Sequence, residues 1–247
     1  MPFAPLEIAP PLARITLTRP EARNALSIDL LGALNLRAAE LESRTDVSVL
    51  VLTGAGKSFC AGMDLKVVLD NPGMPERLLR LLAEFTVKLR NLPMVTVAKV
   101  NGAAIGGGCG LACVCDFTVT HADSKMGFPE VDLGVCPAVV APWVVKRLGA
   151  GRARKVLLSG GLMSGREAFE CGLATHCAPD LAGLDAATDE LVHRLCQGGP
   201  NALRATKKLL NELDGSTNGA MVLRGAALSA EVLATPEAQS RLRERTK

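Results

Sequence analysis

The sequence predicts an α/β fold, and two observations carry that expectation. Continuous apolar runs, Val47 to Leu52 and Met94 to Val100, alternate with stretches whose leucines recur at helical spacing. A strand without polar alternation needs cover on both faces, which parallel or mixed pairing beneath helices supplies. The chain has 247 residues, 48% of them hydrophobic, enough to bury one large α/β core or two small ones.

The elements follow in order. Arg14 to Thr18 alternates as a half-covered strand does, and Pro20 stops it. Ser27 is the expected N-cap of a helix carrying Leu30, Leu31, Leu34, Leu36 and Leu41. The strand Val47 to Leu52 ends at a Gly54-Ala55-Gly56 turn, a helix covers Pro75 to Asn91, and Met94 to Val100 is the next buried strand. Asp116 to Thr120 has strand character, and helices are expected at 138–149, 151–159 and 164–171. From Asp185 onward the leucine spacing is helical throughout. The expected organisation is therefore an α/β core at 1–185 and a helical region at 186–247 that packs on the core or on a neighbouring subunit.

Composition excludes several functions. The net charge of +3 is too weak a bias for a nucleic-acid or anionic-membrane surface. Aromatic residues make up 3% of the chain, with one Trp and no Tyr, so stacking platforms for single strands are not expected. The longest apolar stretch, 131–145, is broken by Pro137 and Pro142, which argues against a membrane span. The eight cysteines lie mostly inside apolar runs and suit buried thiols in a reducing compartment, with the cytoplasm the expected location. Cys113 and Cys115 have neither a second pair nor a His partner nearby, so no metal site is expected.

Two glycine-containing turns carry the chemistry. One is Lys57-Ser58-Phe59-Cys60-Ala61-Gly62-Met63-Asp64-Leu65-Lys66, and the other is Gly106-Gly107-Gly108-Cys109-Gly110 leading into an apolar helix. Glycines at a helix start expose backbone N–H groups, which suit an anion or a developing oxyanion. The spacing fits neither a dinucleotide fingerprint nor a P-loop. Taken alone, the glycines could equally serve close helix–strand packing.

Together the turns resemble those of the crotonase superfamily, the enoyl-CoA hydratase/isomerase family. The resemblance extends through Leu17 to Leu26, Phe59 to Leu65, Asn101 to Cys109, Cys115-Asp116 and Phe128 to Gly134, in order and spacing. It implies a spiral of ββα units, a helical C-terminal region used in a homotrimer or dimer of trimers, and a CoA-thioester substrate with no separate cofactor. By motif match, the backbone N–H groups of Met63 and Gly107 hold the thioester oxygen. Arg23, Ala25, Ala61, Asp64, Leu65, Lys66 and Gly106 line the remainder of the substrate site. The segment Leu133 to Val145 is similar to a bacterial branch that breaks down branched-chain and terpenoid acyl-CoA thioesters.

The family's hydratases pair two glutamates. Here the Pro-Glu position holds Glu130, and the position after the glycine run holds Gly110. Phe128, Pro129, Val131 and Leu133 are apolar neighbours, which raise a carboxyl pKa and suit Glu130 to acid–base work. His121, His176 and His193 are isolated and expected to be structural; Asp116 suits a turn or cap, and Asp132 a minor polar contact. One carboxylate suffices for a 1,3 proton shift, whereas hydration usually divides its labour between two. Hydration of a 2-enoyl-CoA, branched or methylglutaconyl-like, is the leading expectation. A Δ3,Δ2-enoyl-CoA isomerase and a non-catalytic acyl-CoA-binding protein are the alternatives. Gly110→Glu is expected to restore a second carboxylate where space allows. Arg241, Arg243, Arg245 and Lys247 either meet CoA phosphates or form a solvated helix end.

Overall fold

In chain order the elements are β1 (Leu6–Ala9), β2 (Leu12–Leu17), α1 (Ile28–Glu42), β3 (Val49–Gly54), β4 (Ser58–Cys60), α2 (Met74–Asn91), β5 (Val95–Lys99), β6 (Ala103–Ile105), α3 (Gly107–Val114), β7 (Phe117–His121), β8 (Lys125–Gly127), α4 (Ala141–Ser159), β9 (Leu162–Ser164), α5 (Gly165–Glu170), β10 (His176–Ala178), α6 (Leu181–Cys196), α7 (Pro200–Leu213), α8 (Ala220–Leu233) and α9 (Pro236–Arg245). They belong to a computed structural model that describes residues 3–64 and 73–245.

One sheet has the strand order β1-β2-β3-β5-β7-β10, parallel except for the antiparallel pair β1–β2. Its two faces explain the apolar runs. Leu50 and Leu52 of β3 point into the main core with Leu30, Leu31 and Leu34 of α1, whereas Val49 and Val51 meet Leu184, Leu191 and Val192 of α6. Every residue of β3 is therefore buried. In β2 only Ala13, Ile15 and Leu17 are buried, hence the visible alternation. A second sheet, β4-β6-β8-β9, is built from three-residue strands too short for any periodicity to announce.

Helix α3 packs against strands of both sheets, β4 and β6 on one side and β5 and β7 on the other. At Gly108 no side chain fits: a Cβ there would lie 2.2 Å from the Cys60 carbonyl oxygen. The Ser27 hydroxyl accepts from the Leu30 N–H at 3.2 Å and caps α1 as expected. The two helices expected at 138–149 and 151–159 are one segment, α4, interrupted at Gly149 by a left-handed φ of 74°. Cys60, Cys109, Cys113 and Cys115 are buried, the other four cysteines half-buried, and all eight are free thiols.

The boundary expected at 185 falls inside α6, and α6 covers the first sheet. The chain-terminal helices also pack on their own core: α8 lies along α2, and α9 touches the turn at Val131–Leu133. Among the described residues no helix is long and apolar enough to cross a membrane.

Candidate active site

Three backbone hydrogen bonds stitch the first motif turn to the loop before α1. Ala61 N–H donates to Arg23 O (3.0 Å), Leu26 N–H to Gly62 O (2.7 Å) and Asp64 N–H to Leu26 O (3.1 Å). The last two form an isolated parallel bridge between Leu26 and Met63. A parallel bridge spends the groups flanking Met63, so the N–H of Met63 itself points away from Leu26. The loop is braced by Asn24, fully buried at φ 56°, whose amide donates to Ala55 O and Ser58 O at 2.9 and 2.8 Å. Arg19 donates to Ala25 O at 2.6 Å and pairs with Asp64 at 3.1 Å.

The second motif turn reverses the chain at Gly106, whose φ of 54° and ψ of −121° favour glycine. Gly106 caps α3 and its carbonyl accepts from Gly110 N–H at 2.8 Å. Gly107 is then the first helical residue, with an N–H that has no intrahelical acceptor. The two turns touch: a Cβ at Gly62, itself at φ 85°, would lie 3.6 Å from the Gly107 nitrogen.

Met63, Gly107 and Glu130 line one narrow cavity of about 90 Å³. Apart from Ser229 the rest of its wall is largely apolar, with Leu78, Leu79 and Leu82 from α2, and Val139 and Val140 ahead of α4. Glu130 is fixed by its own carbonyl, which accepts from Leu133 N–H (3.0 Å) and Val135 N–H (2.8 Å). Its carboxylate lies over Gly106, where a Cβ would come within 2.8 Å of Oε1. Oε2 is buried without a hydrogen-bond partner. Burial pushes the carboxyl up from 4.5 to about 7; the residue's own backbone N–H opposes the rise, and the Asp132 charge adds a smaller increment.

The other expected residues are distributed around this centre. Ala61 and Gly106 line the cavity. Arg23 is exposed in a left-handed conformation at φ 53°, and Ala25 is buried beside it. The Asp64 side chain is engaged by Arg19 and braces the loop. Leu65 and Lys66 lie outside the described residues. Of the stretches 67–90 and 136–143 that the sequence assigns to the acyl pocket, 67–72 lies outside them too, while Leu78, Leu79, Leu82, Val139 and Val140 line the cavity.

Two expectations are corrected, those for Asp116 and for position 110, while the polar contact expected of Asp132 is found. Asp116 does more than cap a turn: it accepts from Lys207 Nζ at 2.8 Å, from Arg90 at 3.4 Å and from the Thr96 N–H and hydroxyl at 2.8 and 3.0 Å. Asp132 ties the Glu130 turn to the end of α4 by accepting from Gly161 N–H at 2.8 Å. Position 110 has no room for a second carboxylate, because a Cβ there would lie 2.1 Å from Val140 Cγ1. Of the terminal cluster, Arg241 pairs with Glu237 at 3.2 Å on the exposed side of α9. His121 is buried with no partner for either ring nitrogen, away from the cavity residues.

Val140 falls in the stretch 136–143 that the sequence assigns to the acyl pocket, and it does line the cavity; Ser229 was not foreseen. Ser229 of α8 lines the cavity, donates to Cys136 O at 2.7 Å and accepts from Ala138 N–H at 3.2 Å, so it pins the strap carrying Val139 and Val140. No motif marks either residue.

A family model described as enoyl-CoA hydratase/isomerase matches residues 7–239. The enoyl-CoA hydratase ACTT6 of Alternaria alternata is 34% identical over 226 residues, covering 92% of this chain and 75% of its own length. A short-chain-enoyl-CoA hydratase of Clostridium acetobutylicum is 31% identical over 203 residues, with 81% and 77% coverage. Among solved structures, Pseudomonas aeruginosa AtuE superposes with a TM-score of 0.82 at 36% identity, over 96% of this chain and 93% of that one. An enoyl-CoA hydratase from Bacillus halodurans gives a TM-score of 0.89 at 22% identity, over 98% and 99% of the two chains, a likeness of fold.

Proposed function

This chain belongs to the enoyl-CoA hydratase/isomerase family, and on that premise we propose that it adds water across the double bond of a 2-enoyl-CoA thioester. The observation that carries the reading is Glu130, a carboxylate with one buried, unpartnered oxygen in the same cavity as Met63 and Gly107. In the proposed reaction the N–H groups of Met63 and Gly107 donate to the thioester carbonyl oxygen. Glu130 takes a proton from water as its oxygen bonds to the β carbon, and the electron pair of the double bond moves onto the thioester as an enolate. The same carboxyl then delivers that proton to the α carbon, which regenerates the carboxylate. Fixed backbone donors stabilise the enolate oxygen without reorganising, each by about 3 to 4 kcal/mol of barrier. A carboxyl near pKa 7 is suited to both halves of this cycle at neutral pH.

The acyl group is proposed to be small and uncharged. The described lining residues are apolar apart from Glu130 and Ser229, which favours a branched or linear apolar acyl chain. Arg23, Ala25, Ala61 and Asp64, with Leu65 and Lys66, are proposed to border the CoA moiety, and no further cofactor is proposed. A homotrimer or dimer of trimers is proposed from the resemblance and from Leu209, Leu210, Leu213, Met221 and Leu228, exposed on α7 and α8. The free cysteines suit a cytoplasmic enzyme.

A second reading is favoured by one specific observation. Glu130 is the only carboxylate among the described lining residues, and one carboxylate suffices to move a proton from C2 to C4 of a 3-enoyl-CoA. Crotonyl-CoA and 3-hexenoyl-CoA distinguish the two. Loss of the conjugated-thioester absorbance of crotonyl-CoA with formation of 3-hydroxybutyryl-CoA supports hydration. Appearance of that absorbance from 3-hexenoyl-CoA, with crotonyl-CoA untouched, replaces it by isomerisation.

A further inference from the structure

Gly106 and Gly110 lie one turn apart on the same face of α3, joined by the Gly110 N–H to Gly106 O bond of 2.8 Å. Two different side chains cover that face. The Glu130 carboxylate lies over Gly106, within 2.8 Å of where a Cβ would be. Val140 lies over Gly110, with Cγ1 at 2.1 Å and Cβ at 2.8 Å from the corresponding point. The cavity wall one turn beyond the carboxylate is therefore a branched alkyl group.

We propose that Val140 is a specificity-determining residue, which fills the space that a side chain at position 110 would need and so holds the site to a single carboxylate. This rests on the reading of Glu130 as the acid–base group. Rotation about χ1 could move Cγ1 but not Cβ, and both are closer than unstrained carbon contacts permit. Nor is the backbone free to retreat. Val140 is 2% exposed, and its carbonyl accepts from Trp143 N–H at 3.0 Å and Val144 N–H at 3.1 Å at the start of α4. The strap just before it is pinned by the Ala138 N–H to Ser229 Oγ bond of 3.2 Å. Gly110 and Val140 thus form a matched pair. Exchanging Gly110 alone inserts a side chain into a valine, and exchanging Val140 alone opens an empty apolar pocket. Only the exchange of both makes room for a second proton donor beside the acyl carbons.

The test is a double-mutant cycle with two readouts. Gly110→Ala is first made in the native background and in Val140→Gly. Glycine to alanine inside a helix ordinarily raises stability. The melting temperature should fall in the native background and rise in the Val140→Gly background, a reversal of sign. The second readout is crotonyl-CoA hydration by Gly110→Glu/Val140→Gly, which should exceed that of Val140→Gly by at least tenfold. Gly110→Glu alone should be poorly folded. A Gly110→Ala melting temperature at or above wild type in the native background overturns the proposal, as does a double variant that hydrates no faster than Val140→Gly. If wild type instead only isomerises, the hydration reading fails while the sign reversal still reports Val140 in the space at 110.

Discussion

Replacing Glu130 by Gln should lower turnover by about two or more orders of magnitude and, at high pH, stabilise the protein. The substitution keeps shape and removes the charge. Loss of a positioned acid–base group costs about 10²- to 10⁴-fold in rate, and the cavity offers no second carboxylate among its described residues. The pH dependence sharpens the expectation. With the carboxyl raised to about 7, kcat/KM of the wild type should fall about tenfold for each unit below pH 7. At pH 5.5 about 3% of a base with pKa 7 is ionised, against about 90% of an ordinary glutamate. Stability runs the other way. The folded pKa is above the unfolded 4.5, so the native state binds the extra proton between about pH 4.5 and 7. Stability from that proton is complete below 4.5 and lost as the pH rises through 7. A rise from 4.5 to about 7 corresponds to about 3 kcal/mol. Glu130→Gln, which never ionises, should therefore melt close to wild type at pH 4 and several degrees above it at pH 8.5. Steady-state rates from pH 5 to 9 and melting curves at both ends check this. An acid limb with its midpoint near 4.5, or a variant that keeps the wild-type rate, would refute the assignment.

Three further expectations follow from the same geometry. Gly107→Pro removes one N–H at a first helical position that tolerates the ring, and the Leu26 and Leu82 side-chain ends nearest it can shift. Turnover should drop by about a hundredfold or more, while Met63→Ala, which leaves its N–H in place, should cost little; equal losses in folded proteins would remove the donor assignment. Asp116→Ala removes the carboxylate paired with Lys207, which is 7% exposed and keeps its bond to Met94 O at 2.8 Å, and should cost about 3 to 5 kcal/mol in chemical denaturation with kcat unchanged where the protein remains folded. Light scattering at micromolar concentration should report three or six times the chain mass, and a monomer would remove the oligomer from the proposal.

The sequence made legible those features that depend on periodicity or on backbone conformation. Val49–Gly54 is apolar at nearly every position because α1 and α6 cover its two faces, and that pattern predicts its burial without any structure. Gly62 and Gly106 stand where left-handed φ values of 85° and 54° are required, so the turns around the two N–H groups could be located from their glycines. Asp116 reads as a turn or cap in the sequence because its partners, Arg90, Thr96 and Lys207, are far from it in the chain. Val140 lies in the stretch 136–143 assigned to the acyl pocket, but its pairing with position 110 is not legible, for a different reason. Apolar residues carry no chemical signature, and its importance lies in the distance to a residue that has no side chain. A missing carboxylate reads in the sequence as a loss at position 110. In space that volume is filled by Val140: the wall there is apolar, and the proposed proton chemistry rests on Glu130, over Gly106 one helical turn away.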